Sequence, residues 1–371
     1  MRIAFMHRQL RGGGTEADLR RMAGGLAARG HELHVFCMRA GVSLPGVATR
    51  RVPVPAAGRV ARVLGFALMA PRLVARERWD AVVGFGRTPR QDVARIGGGT
   101  HRSYLRRMTV AGVRGRRLGP YHRAILWIEG RQFSPAGHRR VLAVSDSVRR
   151  EVVADYAVPP AQVAVVYNGV DLEQYHPTAH ATAGAAVRQA LAVPPDTRLC
   201  VAIGSGFARK GMDLLLHLWS EQPPDRMVLA VVGGDERLDR FRRHVAARGL
   251  TDRVRVLGRR DDVPAILAAA DVLCVPSRQE AFGNVVLEAC AAGVPVVTSR
   301  LVGAAELLDG PCGRLVVERP DDLPALRAAL HEATGTAQAA LGTAARALAE
   351  RHPWHRHLDE VEALLREVAG D

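Results

Sequence analysis

Short apolar runs alternate with amphipathic segments along the first half of the chain. Residues 2–6, RIAFM, precede a glycine-rich turn, after which apolar side chains recur at helical spacing from Leu19 to Ala27. The turn between strand and helix is the segment RGGGT. Further apolar runs that predict buried strands stand at residues 31–38, 81–86 and 140–145. Strands that alternate with helices predict a parallel sheet covered on both faces.

The second half of the chain repeats this alternation. Apolar runs that predict strands lie at residues 199–205, 227–235, 253–258, 271–277, 294–299 and 313–317. Helical segments such as MDLLLHLWS and VPAILAAA stand between them. The second half therefore predicts another parallel α/β sheet.

The two halves are joined by a segment rich in Pro, Gly, Ala and Thr, which we interpret as a linker at about residues 168–197. The fold predicted is α/β, with two Rossmann-like domains facing across a cleft. An N-terminal domain would span 1–175 and a C-terminal domain 176–352. The amphipathic segment 353–371 would return as a helix to the N-terminal domain. Ligands of such sheets bind at the carboxyl ends of the strands.

The length and composition fit this prediction. A chain of 371 residues suits two domains, and 48% hydrophobic with 24% charged residues is typical of a folded protein. No apolar run approaches the roughly 20 residues of a membrane span. The five cysteines show no metal-ligand spacing, which favours reduced thiols and a cytoplasmic protein.

Positive charge is concentrated in the first half of the chain. Residues 1–175 carry 29 basic and 12 acidic side chains, an excess of 17 positive charges. We found no nucleic-acid-binding signature, and aromatic residues are only 5%, so nucleic acid is not an expected partner. Segments 59–78 and 101–119 alternate arginines with apolar residues, which predicts peripheral contact with an anionic membrane. The alternative is an arginine-rich surface without a partner.

The segment IGSGFARKGMD holds the only lysine of the chain, Lys210, beside Arg209. It follows a predicted strand, contains two glycines before the cations and leads into a helix. Such a turn presents free backbone N–H groups, and arginine and lysine add charge, so the segment suits an anion. A solvated basic pair at a helix start is the alternative.

The segment SRQEAFGNVVLEAC carries two glutamates, Glu280 and Glu288, around a glycine turn. The stretch Phe282–Gly283–Asn284 would begin a helix whose N–H groups are available to an anion. Glu288 could accept two ribose hydroxyls, and Glu280 could orient a sugar. Solvent-facing glutamates are the alternative interpretation.

Two further candidates lie in the first half of the chain. Asp18 follows the glycine turn and would face the cleft, although it could simply stabilise the start of the helix. His101 follows three glycines and could enter the cleft or lie on the surface. The histidines of HPWHRH lack a ligand set, and no metal site is predicted.

Together these motifs resemble the family-four retaining glycosyltransferases. The resemblance rests on GGTEADLRRMAGGLAARGHELHVF, VSDSVRREV, VVYNGVDLEQYHP, GSGFARKGMD, SRQEAFGNVVLEACAAGVPVV and VGAAELLDGPCGRLV, which occur in order through nearly the whole chain. Within the family, GSGFARKGMD and AVVGFGRTPRQDV are most similar to the lipopolysaccharide inner-core glucosyltransferase group. The resemblance implies the GT-B architecture, with the nucleotide-sugar donor in the C-terminal domain and the acceptor mainly in the N-terminal one.

The resemblance also implies roles for the candidate residues. Arg209 and Lys210 would bind the donor diphosphate and stabilise the departing nucleotide. Glu280 would contact the transferred sugar, and Glu288 would hold the ribose. The phosphate cradle would be completed by Gly14 and by the amides around Gly283, Asn284 and Val285, next to Phe282. The backbone near Arg259 would border the base, and His101 and Asp18 would lie on the sugar or acceptor side.

The predicted function is retaining hexosyl transfer from a nucleoside-diphosphate sugar, expected to be a UDP-sugar, to a cell-envelope glycan or glycolipid such as the lipopolysaccharide core. No metal or other cofactor is expected, since the nucleotide-sugar is a co-substrate. The expected location is the cytoplasm, including the inner face of the cytoplasmic membrane. Alternatives are a natural-product glycosyltransferase, a sugar-nucleotide epimerase and a non-catalytic nucleotide-sugar binder.

Overall fold

The computed structural model describes residues 1–10, 14–40, 44–54, 58–113 and 118–370. The chain divides into two compact units. Unit 1 comprises Met1–Asn168 and Trp354–Asp371, and unit 2 comprises Gly169–Pro353. The division between the units falls at Asn168 and Gly169, at the start of the predicted linker.

The described part of unit 1 is built on a seven-stranded parallel sheet of order β5-β3-β1-β6-β7-β8-β9. Its strands are β1 (Arg2–Met6), β3 (Glu32–Cys37), β5 (Val47–Arg51), β6 (Ala81–Gly84), β7 (Val93–Ile96), β8 (Arg140–Ala143) and β9 (Val163–Val165). The short strands β2 (Gln9–Leu10) and β4 (Arg39–Ala40) pair separately. The chain order reverses between β1 and β6, and this reversal is where ligands of such sheets bind.

Helices cover both faces of this sheet. They are α1 (Gly14–Ala28), α2 (Arg59–Val74), α3 (His101–Val110), α4 (Pro120–Gln132) and α5 (Asp146–Tyr156), with a 3₁₀ turn at Pro160–Gln162. The C-terminal helix, Trp354–Ala369, packs its buried face into the core formed by α1 and the sheet. Its contact with α1 is close, because a Cβ added at Gly25 would lie 2.4 Å from Cδ1 of Leu358. The predicted return of the C-terminal helix to the N-terminal domain is confirmed.

Unit 2 contains a six-stranded parallel sheet of order β12-β11-β10-β13-β14-β15. Its strands are β10 (Arg198–Ile203), β11 (Met227–Val232), β12 (Val254–Gly258), β13 (Val272–Val275), β14 (Val296–Ser299) and β15 (Val316–Val317). Nearly all side chains of β10, β11, β13 and β14 are buried, as expected for parallel strands with both faces covered. The chain order reverses between β10 and β13.

The helices of unit 2 alternate with these strands. They are α6 (Ala181–Ala190), α7 (Phe207–Lys210), α8 (Met212–Glu221), α9 (Leu238–Ala247), α10 (Val263–Ala269), α11 (Asn284–Ala291), α12 (Gly310–Gly313), α13 (Leu323–Thr334) and α14 (Gln338–Glu350), with a 3₁₀ turn at Gly303–Leu307. The C-terminal helix of unit 1 is α15. Two parallel α/β units confirm the predicted fold class.

The sequence pattern missed three strands of the seven-stranded sheet: β5, β7 and β9. In β5, four of five side chains are exposed, so no apolar run marks it. Strand β7 is fully buried but contains Arg95, which interrupts its apolar run. Strand β9 has only three residues. Hydrophobic periodicity cannot identify strands of these kinds.

We expect the packing of α15 to be a major source of stability in unit 1. Leu365→Ala should lower the free energy of unfolding by about 3 kcal/mol, because Leu365 is 1% exposed and its removal leaves a cavity. His355→Ala on the exposed face of α15 is the matched control, with an expected change within about 0.5 kcal/mol. Urea unfolding of both variants measures the difference. Equal stability of the two variants would contradict this account of α15.

Candidate active site

The predicted donor residues lie at the point where the strand order of unit 2 reverses. Strand β10 leads into residues 204–211, and its neighbour β13 leads into residues 276–283. The carboxyl ends of these two parallel strands lie at the same edge of the sheet. Their loops are therefore side by side, although 70 residues separate Arg209 from Gln279 in sequence.

Glycines allow these two loops to approach closely. At Gly211 the backbone has φ +73°, and an added Cβ would lie 2.1 Å from the carbonyl oxygen of Pro276. At Gly204, with φ +149°, an added Cβ would lie 2.6 Å from Cε of Lys210. Only glycine fits these positions without displacing the neighbouring chain. Gly211 also separates the single turn α7 from α8, which places Lys210 at a helix end instead of within a longer helix.

The structure brings Arg209, Lys210 and Glu280 together. Nη1 of Arg209 donates to Oε2 of Glu280 at 2.6 Å, and Nζ of Lys210 donates to the same oxygen. Arg209 also donates to the carbonyl oxygen of Gln279 at 3.0 Å. The Lys210 side chain is only 9% exposed and that of Glu280 16%. Two cations thus converge on one carboxylate oxygen in a largely buried position.

The charges of this cluster shift the pKa of Glu280. Burial alone would raise this pKa, but the nearby Lys210 and Arg209 more than offset burial and lower it to about 2. Glu280 is therefore ionised at neutral pH and serves as the counter-ion of both cations. Two cations that bind the carboxylate of Glu280 can bind the oxygens of a diphosphate in its place.

Phe282 and Gly283 lie beside this cluster. Phe282 is buried, and its carbonyl oxygen accepts a hydrogen bond from the backbone N–H of Ala304. Gly283 has φ +91° and is the residue before α11, and an added Cβ would lie 3.2 Å from Cγ of Glu280. Asn284 and Val285 form the first turn of α11, as the sequence predicted. The free N–H groups at the start of α11 thus follow Glu280 by only a few residues along the chain.

The other two candidates in unit 2 differ in their surroundings. Glu288 is half-buried in α11, one helical turn beyond Asn284. Arg259 follows β12, its side chain is 70% exposed, and its Nε lies 3.8 Å from Oδ1 of Asp261. The structure does not bring Arg259 into the buried cluster. Its suggested place beside a base, like the ribose role of Glu288, stays a prediction.

The candidates in unit 1 have defined partners of their own. Asp18 is buried in α1 and accepts hydrogen bonds from Arg95 at 3.1 Å and from Asn168 at 3.2 Å. His101 begins α3, and its Nε2 lies 3.0 Å from Nδ1 of His122. Gly14 is the exposed first residue of α1. Residues 11–13, which complete the glycine-rich turn before Gly14, lie outside the described residues.

Sequence reasoning missed two supports of the cationic loop. Asp235, after β11, accepts a hydrogen bond at 2.7 Å from the backbone N–H of Phe207 and fixes the start of α7. Arg278 donates at 2.6 Å to the carbonyl oxygen of Ala208 and also pairs with Asp213. The motif VVGGD after an apolar strand is a signal that could have identified Asp235. No comparable signal marks Arg278, because arginine is abundant throughout this chain and one more arginine does not stand out.

Ligands of parallel α/β sheets bind where the strand order reverses, and unit 2 places two cations and a carboxylate there. Comparison with models of protein families identifies the class of enzyme. Residues 12–174 match the model described as Glycosyltransferase Family 4, and residues 197–334 match Glycosyl transferases group 1. The chain therefore carries glycosyltransferase domains of the family-four and group 1 types, as the sequence motifs predicted.

Curated relatives include the lipopolysaccharide glucosyltransferase WaaG of Escherichia coli K12. It is 26% identical over 330 residues, which cover 86% of each chain. The D-inositol 3-phosphate glycosyltransferase of Kribbella flavida is 34% identical over 231 residues, or 58% of this chain. The present chain spans about half the length of that relative, 53%.

Solved structures confirm the GT-B fold. The crystal structure of WaaG, described as a glycosyltransferase involved in lipopolysaccharide biosynthesis, superposes with a TM-score of 0.83 at 24% identity over the full length of both chains. Anabaena HepE in complex with UDP-glucose superposes with a TM-score of 0.76 at 20% identity, covering 99% of this chain and 100% of HepE. Both units of the chain therefore have counterparts in glycosyltransferases.

The described residues lack two further features. None of the helices there is long and apolar enough to pass through a bilayer. In the same residues no group of three His, Cys, Asp or Glu side chains could hold a metal ion.

Proposed function

We propose that this glycosyltransferase transfers a hexosyl group from a nucleoside-diphosphate sugar with retention of configuration. The observation that carries the proposal is the pairing of Arg209 and Lys210 with a single oxygen of Glu280 at the strand-order reversal of unit 2. A UDP-sugar is the favoured donor, because HepE has been solved with UDP-glucose. The three residues act as a clamp for the donor diphosphate.

In the proposed reaction, the donor diphosphate takes the place of Glu280 as the anion bound by Arg209 and Lys210. The two cations then stabilise the negative charge that develops on the leaving phosphate. Glu280, released from its cations, accepts hydrogen bonds from hydroxyls of the transferred sugar. The first N–H groups of α11, at Asn284 and Val285, hold a phosphate oxygen, and Glu288 accepts the ribose hydroxyls.

The proposed transfer occurs on one face of the sugar. The bond between the anomeric carbon and the β-phosphate oxygen breaks, and a bond from the acceptor oxygen to the anomeric carbon forms on the same face. The acceptor hydroxyl proton passes to the leaving phosphate. We propose that no metal ion takes part, because the two fixed cations supply the positive charge at the leaving group. Transfer should then continue unchanged in excess EDTA.

A panel of nucleotide sugars tests the donor assignment. We expect one of UDP-, GDP-, ADP- and TDP-glucose to raise the thermal midpoint of the chain, because a ligand that binds only the folded state stabilises it. The same donor should raise the midpoint of Lys210→Ala by a smaller amount. No shift with any donor would contradict the proposed function.

We propose a cell-envelope glycan or glycolipid such as the lipopolysaccharide core as the acceptor. The support is the similarity to WaaG along 86% of each chain and the positive charge of the first half. A natural-product acceptor is the alternative. Radiolabelled transfer from the identified donor to truncated lipopolysaccharide, compared with transfer to soluble aglycones, separates the two.

We further propose that unit 1 contacts an anionic membrane through its exposed apolar side chains. Among the described residues, all large apolar side chains that are exposed lie in unit 1, on α2, α3, α4 or the connection before α4; they are Leu68, Val110, Val113, Leu118 and Trp127. We call these five residues the apolar patch. Val110 is 85% exposed, and Arg131 stacks on Trp127 at 4.6 Å. Apolar side chains among arginines suit the headgroup region of anionic lipids.

Substitution in the apolar patch should weaken this contact. Val110→Asp should lower binding to vesicles of phosphatidylglycerol and phosphatidylethanolamine at least fivefold, since it replaces an apolar side chain at the proposed lipid contact by a charge that anionic lipids repel. Ala247→Asp in α9 adds the same charge to an exposed position of unit 2 and is the matched control. Co-sedimentation measures both variants. Equal binding by Val110→Asp and wild type would exclude the patch as the membrane contact.

A further inference from the structure

Unit 1 contains a cavity of about 270 Å³ at the carboxyl ends of its central strands. Its walls include the segments that directly follow β1, β6 and β7, namely residues 7–9, 85–87 and 97–99. Strands β1 and β6 are the neighbours between which the strand order reverses. The cavity thus occupies the same place in the sheet of unit 1 as the cation cluster does in the sheet of unit 2, at the reversal of the strand order.

Several residues that line this cavity have buried nitrogen atoms without a hydrogen-bond partner. Among the described lining residues these are Nε and Nη1 of Arg95, Nε of Arg87 and Nδ1 of His7. A buried donor without a partner costs on the order of 1–3 kcal/mol, and more when it carries charge. Three of these four nitrogens belong to guanidinium groups, which only donate, and they indicate a ligand that accepts hydrogen bonds.

Arg95 is the most deeply buried of these side chains. It is 1% exposed, and only Nη2 is occupied, donating to Oδ2 of Asp18 at 3.1 Å and to Oδ1 of Asn168 at 3.0 Å. Its positive charge affects neighbouring groups. Burial, together with the charge of Arg95, lowers the pKa of His357 to about 4, so this histidine is neutral at pH 7. Asp18 is the carboxylate that pairs with Nη2 of Arg95, and the N–H groups of Nε and Nη1 remain without a partner.

Two more arginines line the cavity. The Arg87 side chain is 37% exposed, and its Nε lies 3.8 Å from Oε1 of Glu129, too far for a hydrogen bond. Arg8 is half-buried and interacts with the Tyr121 hydroxyl; it forms no ion pair with a carboxylate of the described residues. Both guanidinium groups can therefore turn to a ligand without breaking a close ion pair.

Two carboxylates also line the cavity, but both are occupied. Glu129 accepts hydrogen bonds from the backbone N–H of His101 at 2.7 Å and from the hydroxyl of Tyr156. Glu16 lies 3.8 Å from Nε2 of His7, and this interaction lowers the pKa of Glu16 although burial opposes it. Both carboxylates thus already interact with other residues, whereas Nε and Nη1 of Arg95 and Nε of Arg87 have no hydrogen-bond acceptor.

We propose that this cavity binds a phosphate or carboxylate group of the acceptor, with Arg95 as the buried donor and Arg8 and Arg87 at its sides. The acceptor part of this proposal rests on the proposed glycosyltransferase function. A planar guanidinium donates two parallel hydrogen bonds to a phosphate or to a carboxylate equally well. The ligand group is therefore assigned as an oxyanion of either kind. The acceptor would then carry an anionic group near the hydroxyl that receives the sugar.

Gly97 gives the site a specific test. An added Cβ at Gly97 would lie 2.6 Å from Nη1 of Arg95, so Gly97→Ala forces the guanidinium aside at the cavity wall. Arg87→Gln removes one cation from the opposite loop with little effect on packing, because its side chain is partly exposed. Arg90→Gln is the matched control, since Arg90 is exposed, lies three residues away and does not line the cavity.

Equilibrium dialysis of radiolabelled inorganic phosphate at fixed ionic strength measures the site directly. The full-length Lys210→Ala variant is the background, because it weakens the competing clamp of unit 2. We expect saturable phosphate binding in this background. Adding Gly97→Ala or Arg87→Gln should weaken that binding at least tenfold, and adding Arg90→Gln should leave it unchanged. Competition by acetate at equal concentration identifies a carboxylate site, and its absence identifies a phosphate site.

Absence of saturable phosphate binding in the Lys210→Ala background would overturn the proposal. Undiminished binding after both Gly97→Ala and Arg87→Gln would overturn it as well. Dialysis requires no sugar transfer, so the result is independent of the donor panel. If a nucleotide sugar stabilises the wild type but the Lys210→Ala background binds no phosphate, only the proposed oxyanion site is contradicted. If the background binds phosphate but no nucleotide sugar stabilises the wild type, only the donor assignment is contradicted.

Discussion

Replacing Lys210 by alanine should lower the rate of UDP release from the identified UDP-sugar by about 10³-fold. Lys210 is buried against the carboxylate of Glu280, so its ammonium acts in a site where little water screens the charge. Removing one fixed donor to a developing negative charge commonly costs 10²–10³ in rate. A coupled assay for released UDP measures this loss without requiring a known acceptor.

Lys210→Arg should also fail, although it preserves the charge. The lysine chain runs against Gly204, where even a Cβ would come within 2.6 Å of Cε of Lys210. A guanidinium is wider than an ammonium and planar, so it cannot occupy the same space beside Gly204 and Glu280. We expect a loss of at least tenfold in turnover, smaller than that of the alanine variant.

The matched control for both variants is Arg240→Ala, which removes an exposed cation from the same unit. Its turnover should equal that of the wild type. Far-ultraviolet circular dichroism of all three variants checks that the fold is retained. Wild-type turnover by Lys210→Arg would show that any cation suffices and that the only lysine of this chain has no particular role.

Glu280→Gln should separate donor binding from transfer. The amide cannot serve as the counter-ion of Arg209 and Lys210, so the diphosphate no longer competes with an internal anion. Affinity for UDP should therefore stay the same or rise a few fold, while sugar transfer falls about 100-fold because a carboxylate contact to the sugar is lost. Calorimetric titration with UDP and the transfer rate measure the two effects. Parallel losses of affinity and rate would contradict the proposed exchange of anions.

The same variant should change the acid stability of the chain. Glu280 has a pKa of about 2 in the folded chain, below its ordinary 4.5. Its contribution to stability, up to about 3 kcal/mol, is therefore present above pH 4.5 and is lost as the pH falls toward 2. Urea unfolding between pH 3 and 7 should show a shallower decline for Glu280→Gln than for wild type. Glu236→Gln, an exposed glutamate, should behave as wild type.

Much of this architecture could be predicted from local sequence. Runs such as LCVAIGS and DVLCVPS are apolar because β10 and β13 are buried on both faces, and their regular alternation with helices predicts the parallel sheets. The donor motifs were recognisable because each consists of neighbouring residues at a strand end. Lys210 stood out since it is the only lysine among 52 basic residues.

The remaining features depend on contacts between distant residues. Nothing in sequence indicates that Arg209 and Lys210 share one oxygen of Glu280, which lies some 70 residues later. Nor does the sequence indicate that Asp18 lies buried against Arg95, 77 residues away. Arg95 itself could have been noticed as a charged residue inside the short apolar run DVARI. Such a residue is rarely buried unless it is paired or used.

The preference of the chain for a nucleoside diphosphate over the corresponding monophosphate tests the central claim most directly. Calorimetric titration of wild type and Lys210→Ala, with both nucleotides of the base identified by the donor panel, isolates the contribution of the β-phosphate. One charge-assisted hydrogen bond corresponds to about 10–100-fold in affinity. We predict that wild type favours the diphosphate by at least that factor and that the preference falls to a few fold in Lys210→Ala. The same preference in both proteins would contradict the assignment of Arg209, Lys210 and Glu280 as the diphosphate clamp.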